Sequence, residues 1–147
     1  MIKIKINLLV LLTFAVSAAI PNPPDLGVGS YVLYEPNTKK VLVSFNSDEP
    51  VQPASLTKLM TSYVIADYIK EDFISLDDTP KISIKAWKTE GSRMFIREGT
   101  KVPVSELIKG MIIQSGNDAS VALAEHAAGS EENFVYLMNE YASQLGM

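Results

Sequence analysis

The feature that most constrains this chain is an apolar helix predicted over residues 55–70. Its hydrophobic residues cover more than one stripe of the helix, which is typical of a helix that is buried on most sides. They are Leu56, Leu59, Met60, Tyr63, Val64, Ala66 and Ile69. Burying such a helix would also remove water from the side chains at its N-terminal end. We therefore expect the fold to form around this helix.

The first turn of this helix carries a serine and a lysine, Ser55 and Lys58. Residues three apart lie on nearly one face of a helix, about 4.5 Å apart along its axis. A serine hydroxyl is a weak nucleophile until a neighbouring base takes its proton. A lysine amine can be that base when burial or a second cation disfavours its charged form. For the short motif alone an exposed helix turn is the favoured explanation, and nucleophilic catalysis becomes the favoured one only with the rest of the chain.

Three further regions have clear patterns. Residues 30–35 and 40–45 are rich in strand-forming residues and flank the turn Pro36-Asn37-Thr38-Lys39, which predicts a β-hairpin with at least one buried face. Residues 81–84 predict a short strand. From Pro103 onward the apolar residues recur with helical spacing, which predicts further helices as far as the chain end.

Ser115, Gly116 and Asn117 interrupt that helical pattern. A short break between two helices projects polar side chains into a cleft without disturbing the core. Ser115 is suited to relay a proton between Lys58 and a leaving group. The Asn117 side-chain amide is suited to hydrogen-bond a substrate peptide group or to orient Lys58.

Composition excludes several classes of site. The chain has 147 residues, enough for one domain, and a net charge of −4 without a basic patch, so we expect no nucleic-acid partner. It has no cysteine, which excludes disulfides and thiolate metal sites. His126 is the only histidine and lies among alanines on a predicted helix, which argues against a Ser-His-Asp triad and against zinc. We expect no cofactor and no metal.

The N-terminus has the pattern of a secretory signal peptide over residues 1–19. Lys3 and Lys5 precede an apolar run over residues 8–16, and Ser17-Ala18-Ala19 supplies small residues for cleavage after Ala18 or Ala19. An uncleaved membrane anchor is the alternative, but the run is short for a span of ~20 residues. The pattern predicts an exported protein that works outside the cytoplasmic membrane.

Three longer runs resemble the low-molecular-weight penicillin-binding proteins and, more narrowly, the serine-type D-alanyl-D-alanine carboxypeptidases. They are P-A-S-L-T-K-L-M-T-S-Y-V-I, G-S-R-M-F-I-R-E-G-T-K-V-P-V-S-E-L-I-K-G and Q-S-G-N-D-A-S-V-A-L-A-E-H-A-A-G-S. The resemblance extends from about residue 30 to the last residue. It implies an α+β fold of the β-lactamase/transpeptidase type, with a helical cluster packed on an antiparallel sheet.

The resemblance also implies an activity and its residues. Ser55 matches the acylated nucleophile, Lys58 its general base, Ser115 the second-motif serine and Asn117 the asparagine that contacts substrate. The implied substrate is a peptidoglycan stem peptide ending in D-Ala-D-Ala, and the implied inhibitors are β-lactams. The implied location is the periplasm, at the outer face of the cytoplasmic membrane.

The sequence departs from this family in one respect. The third motif, K-T-G on a sheet-edge strand, is absent. Lys88-Thr89-Glu90 is a partial look-alike, but it precedes the second motif and has glutamate in place of glycine, so we reject it. The membrane-binding tail usual in the family is absent as well. We therefore expect residues 20–147 to be the N-terminal part of a D,D-peptidase catalytic domain, with an incomplete sheet and no turnover alone.

Two other functions fit the same residues. A D,D-endopeptidase or a β-lactamase would use the same nucleophile, although Gly116 departs from the S-D-N motif of class A β-lactamases. A non-catalytic module that binds wall peptides or β-lactams is the third possibility.

Overall fold

A computed structural model describes residues 22–147, which divide into two compact units. One unit ends at Val51 and the other spans Gln52–Met147. The predicted signal peptide, residues 1–19, lies outside the described residues and stays a prediction.

The unit that ends at Val51 contains the predicted hairpin. Strands β1 (Tyr31–Glu35) and β2 (Lys40–Phe45) pair antiparallel, with Tyr31 opposite Phe45 and an irregularity in register between Leu33 and Tyr34. The Glu35 carboxylate organises the turn, because it accepts hydrogen bonds from Thr38 N at 2.6 Å and from Asn37 N at 3.1 Å. Hydrogen bonds from the Thr38 side chain, the Thr38 backbone and Asn37 lower the pKa of Glu35 to about 2.

The hairpin was expected to bury one face, and this prediction is wrong for the described residues. Along both strands each residue is half-buried or exposed, and Leu33 keeps 55% of its surface accessible. Its order therefore comes from the backbone ladder and from the turn, with little contribution from a core of its own.

The unit Gln52–Met147 is helical. A 3-10 turn over Ala54–Leu56 leads into α1 (Thr57–Lys70), and four more helices follow: α2 (Ile84–Lys88), α3 (Val104–Ile113), α4 (Asn117–Ala128) and α5 (Glu131–Gln144). Residues 81–84 form only the start of the predicted strand: Lys81 pairs with Lys101 in an isolated antiparallel bridge, and Ile82 N donates to the Thr100 carbonyl at 2.9 Å. The Ser83 hydroxyl accepts a hydrogen bond from Ala86 N at 2.9 Å and caps α2, so Ile84 belongs to a helix and not to the strand.

Helix α4 is the centre of this unit and packs against α1, α2, α3 and α5. Its buried residues are mostly small, so neighbouring helices approach it closely; they are Asp118, Ala119, Val121, Ala122, Leu123 and Ala124. The core around it is completed by Phe134 from α5 and Leu107 from α3. A central helix of this kind holds the residues at its N-terminal end in fixed positions.

Helix α1 is less buried than its sequence predicts. It buries Thr61, Val64 and Ile65, whereas Leu56 and Leu59 are 68% and 70% exposed. The prediction that α1 is covered on most sides is therefore wrong for the described residues.

Tyr141 on α5 donates a hydrogen bond to the Asp67 carboxylate on α1, with the two oxygens 2.5 Å apart. The hydrogen bond to Asp67 raises the pKa of Tyr141 to about 12, because the neutral phenol can donate this bond and the ionised phenol cannot. This contact joins α1 to α5 beside the core.

Candidate active site

Ser55 and Ser115 are brought together from elements that are 60 residues apart in the chain. The Ser115 hydroxyl donates to Ser55 Oγ at 3.0 Å. Ser55 lies in the 3-10 turn that precedes α1, and Ser115 lies between α3 and α4. Ala54, next to Ser55, and Ser115 itself have left-handed backbone, at φ 47° and 53°. Such backbone costs on the order of 1–3 kcal/mol for a residue other than glycine and persists where the surroundings enforce it, often at functional sites.

Lys58 and Asn117 form the second contact of the site. Lys58 Nζ donates to Asn117 Oδ1 at 2.6 Å, and both side chains are half-buried. Asn117 Nδ2 in turn donates to the Glu90 carbonyl at 2.7 Å. Because Nδ2 is engaged with a carbonyl, the amide is held with its oxygen toward the lysine.

The four residues predicted from the sequence therefore meet in one place. A cavity of about 380 Å3 borders Ser55, Lys58 and Ser115, and apolar side chains including Leu59 and Met111 supply part of its wall. A larger hollow of about 930 Å3 lies between α1, α4 and α5, and Lys58 and Asn117 are among the residues that line it. The arrangement presents a serine hydroxyl, a second hydroxyl, an amine and an amide to a ligand.

One feature of the pairing differs from the expected arrangement. The hydrogen bond of Lys58 goes to Asn117, and that of Ser55 comes from Ser115; the structure shows none between Ser55 Oγ and Lys58 Nζ. The burial expected to cover Lys58 is also incomplete, because Leu56 and Leu59 face solvent and Met60 is half-buried. The roles assigned to the four residues stay predictions.

Gly116 makes the close approach of these elements possible. A Cβ at this position would lie 3.0 Å from Asp118 Oδ1, 3.1 Å from the Gly110 carbonyl and 3.3 Å from Met94 N. Contacts that short are tight, so a side chain at this position requires Asp118 or the backbone at Gly110 and Met94 to shift by a few tenths of an ångström.

The sequence alone did not identify two parts of this region, Asp118 and the segment of residues 90–96. Asp118 is fully buried, and its carboxylate accepts hydrogen bonds from Met94 N and Ile96 N. The segment also provides carbonyl acceptors for Asn117. Acidic residues are common in the first turn of a helix because they interact favourably with the helix dipole. The position of Asp118 in the sequence therefore does not indicate this contact with the segment.

Two other side chains considered in the sequence, His126 and Lys88, form no hydrogen bond with these four residues in the described part of the chain. His126 Nε2 is 3.1 Å from Asp78 Oδ2, and the hydrogen bonds from Ser75 N and from His126 lower the pKa of Asp78. Lys88, in the rejected look-alike of the third motif, is the last residue of α2 and not part of a strand.

Within residues 22–147, no cluster of three or more histidine, cysteine or acidic residues has the arrangement of a metal site. Among the helices of the same residues, none is both long enough and apolar enough to cross a bilayer.

Comparisons with known proteins place these features in context. The family model described as D-alanyl-D-alanine carboxypeptidase matches residues 17–147. The D-alanyl-D-alanine carboxypeptidase DacC of Escherichia coli is 45% identical over 130 residues, which are 84% of this chain and 32% of the relative. DacA of the same species is 45% identical over 138 residues, 90% of this chain and 34% of the relative. The chain thus spans about a third of the length of the curated relatives it matches.

The crystal structure of penicillin binding protein 5 from Haemophilus influenzae superposes with a TM-score of 0.79 at 42% sequence identity. The match covers 86% of this chain and 38% of that chain. This similarity confirms the predicted fold class, an α+β fold of the penicillin-binding, transpeptidase-like type.

Proposed function

The chain belongs to the D-alanyl-D-alanine carboxypeptidase family, and on that premise we propose that the protein removes the terminal D-alanine from peptides ending in D-Ala-D-Ala, through an acyl-enzyme on Ser55. The observation that carries the proposal is the meeting of two pairs, Ser55 with Ser115 at 3.0 Å and Lys58 with Asn117 at 2.6 Å. A nucleophile, a candidate base and two further polar groups in one place are what acyl transfer requires.

The proposed reaction has two steps. Ser55 Oγ attacks the carbonyl carbon of the penultimate D-alanine, and the hydroxyl proton passes to the Lys58 amine. The peptide C–N bond then breaks, and the nitrogen of the departing D-alanine takes up a proton, with Ser115 as the relay. Water next attacks the Ser55 ester, which releases the shortened peptide and restores the hydroxyl.

The N-terminal end of the helical segment at Ser55 supports this chemistry electrostatically. Unpaired backbone N–H groups at a helix start carry partial positive charge, which stabilises the oxyanion that develops on the attacked carbonyl. The Asn117 amide stands beside Lys58 and is suited to hydrogen-bond the substrate peptide group.

β-Lactams are proposed inhibitors of the same site. A solved relative is named a penicillin binding protein, and a β-lactam presents a reactive amide to the same nucleophile. Attack by Ser55 would open the ring and leave a stable ester, because the leaving nitrogen stays attached to the acyl group.

The cellular setting is part of the proposal. Peptidoglycan stem peptides lie outside the cytoplasmic membrane, and the predicted signal peptide supports export to the periplasm. Membrane attachment is proposed through a C-terminal tail of the kind usual in this family. Trimming stem peptides would connect the protein to cell-wall biogenesis and cell shape.

Mass spectrometry tests the acyl-enzyme directly. The protein expressed from its complete reading frame is incubated with penicillin, digested and mapped. We expect one adduct, on the peptide containing Ser55, and its loss in Ser55→Ala but not in Ser47→Ala, a change at an exposed serine of the other unit. An adduct on another serine, or a folded wild-type protein without an adduct, contradicts the proposal.

Replacing the candidate base gives a second test. An arginine stays charged and cannot accept a proton, so Lys58→Arg is expected to slow acylation by about 10²–10⁴-fold. Lys109→Arg is the matched control, because Lys109 is exposed and pairs with Glu106. Acylation of the Lys58→Arg protein at the wild-type rate would show that Lys58 is not the base.

A further inference from the structure

The candidate active site is backed by a buried carboxylate that the proposed reaction does not use. Asp118 is 0% exposed and lies in the first turn of α4, directly after Asn117. Its Oδ1 accepts hydrogen bonds from Met94 N at 3.0 Å and from Ala119 N at 2.9 Å, and its Oδ2 accepts one from Ile96 N at 3.2 Å. Burying a carboxylate is costly unless such donors compensate it.

The residue between those two donors has an unusual backbone. Phe95 has φ 64°, in the left-handed region that a bulky residue rarely adopts. The N–H groups of Met94 and Ile96 on either side of it both point to Asp118. Backbone N–H groups around a left-handed residue form a concave site for an anion, and here the anion is supplied by the protein itself. The carboxylate therefore holds the segment of residues 90–96 in a conformation that the chain would not otherwise favour.

The other end of the same segment contacts Asn117. The Ser92 carbonyl accepts from Asn117 N at 2.7 Å, and the Glu90 carbonyl accepts from Asn117 Nδ2 at 2.7 Å. Between them, Gly91 has φ 90°, and a Cβ there would lie 2.6 Å from Asn117 Nδ2. The position of this segment thus decides which way the Asn117 amide faces and where its oxygen meets Lys58 Nζ.

We propose that Asp118 is a positioning residue for the active site: by holding residues 90–96 in place, it fixes the orientation of the Asn117 amide and, through it, the position of the Lys58 amine. The inference rests on the proposed acylation of Ser55. It concerns how fast a correctly folded site reacts, because a misplacement of about 1 Å in a reacting group can cost ~10²-fold in rate.

The first test replaces the carboxylate by an amide of the same size. In Asp118→Asn one side-chain oxygen becomes an NH2 group, which cannot accept, so a backbone N–H of the segment loses its partner. We expect the limiting rate of acylation by a fluorescent penicillin to fall by about 10²-fold. The amplitude of acylation should stay that of the wild type. A loss of amplitude at an unchanged rate constant would mean that part of the protein has unfolded, which overturns the proposal.

The matched control is Asp78→Asn. Asp78 also accepts backbone and side-chain hydrogen bonds, from Ser75 N and His126, but it does not contact the segment of residues 90–96. Its substitution should leave the limiting acylation rate within about twofold of the wild type, as expected for a site that shares no partner with the reacting groups.

A double-mutant cycle with Asn117→Ala separates the effect of Asp118→Asn on the position of the active-site groups from its effect on the stability of the whole protein. If Asp118 acts through the Asn117 amide, Asp118→Asn should change the acylation rate by less than about twofold once that amide is gone. Its effect on thermal unfolding should persist in both backgrounds. A rate loss that is the same with and without Asn117 would overturn the proposal.

Gly91→Ala tests whether the segment of residues 90–96 positions the Asn117 amide, without changing the buried carboxylate. It is the deciding experiment if the Asp118→Asn protein does not fold. Gly91 is exposed, and the added methyl group would displace the Asn117 amide. We expect a loss in limiting rate of the same order as for Asp118→Asn, and a wild-type rate would overturn the proposal. A wild-type protein that is not acylated at Ser55 would instead refute the proposed function, so the two failures are distinguishable.

Discussion

The two units of the chain achieve their order by different means. In residues 22–51 the hairpin is formed by a backbone ladder and a turn organised by Glu35, and its apolar side chains stay half exposed. In Gln52–Met147 the helices enclose a continuous apolar core around α4. Burial stabilises in proportion to the apolar area removed from water, so most of the stability should come from the helical unit. The candidate site lies wholly in that unit.

The largest expected difference in the free energy of unfolding is between alanine substitutions of two leucines, one in each unit. Leu107 on α3 is fully buried, so Leu107→Ala removes packed atoms and leaves a cavity, at an expected cost of about 2–5 kcal/mol in the free energy of unfolding. Leu33 on β1 is 55% exposed, so Leu33→Ala should cost under about 1 kcal/mol. Urea denaturation of both variants, expressed from the complete reading frame, measures the difference.

An equal loss for the two leucines would break the comparison. It would show that, in the whole protein, the hairpin side chains are as well covered as the helical core. Hydrogen exchange would then report amides of β1 and β2 as slow as those of α3, whereas the comparison predicts faster exchange in the hairpin.

A smaller effect is expected at a helix end. The Ser130 hydroxyl accepts from Asn133 N at 3.1 Å and caps α5, so Ser130→Ala should cost about 1 kcal/mol. Ser143→Ala, at an exposed position of the same helix, serves as the control and should change stability by less than about 0.5 kcal/mol. Equal effects of the two substitutions on the urea midpoint would show that the cap does not stabilise α5.

The smallest expected effect on stability is the pH-dependent contribution of Glu35 to the hairpin turn. Hydrogen bonds in the turn hold the pKa of Glu35 at about 2 in the folded hairpin, against an ordinary value of 4.5. A lowered folded pKa means that the contribution of Glu35 is fully present above about pH 4.5 and is lost as the pH falls through about 2. We expect the amide signals of Asn37 and Thr38 to follow this titration by NMR.

Glu35→Gln is the control for that titration, because a glutamine side chain does not ionise in this range. The variant should remove the pH dependence of the two amide signals. A Glu35 titration centred near 4.5 in the wild-type protein would show that the turn does not hold the carboxylate.

Most of the secondary structure was predictable from the sequence, because it follows from local pattern. Alternation and turn residues predicted the hairpin, and helical spacing predicted the helices after Pro103. The strand predicted over residues 81–84 is reduced to a bridge at Lys81, because the Ser83 cap starts α2 at Ile84. The burial of α1 was also predicted wrongly. Apolar side chains favour burial, but whether they are buried depends on which other segments pack against the helix.

The sequence by itself determined the residue types of the candidate site, and it predicted that Ser55 and Lys58 lie on one side of a helix start, because residues three apart on a helix share a face. It also determined that Ser115 and Asn117 stand at a break between helices, which the structure places at the start of α4. Only the tertiary structure decided which of these atoms meet. Three contacts join positions far apart in the chain: Ser115 with Ser55, Lys58 with Asn117, and Asp118 with residues 94–96. Such contacts form only when the packed helices bring their ends together, so local sequence pattern does not predict them.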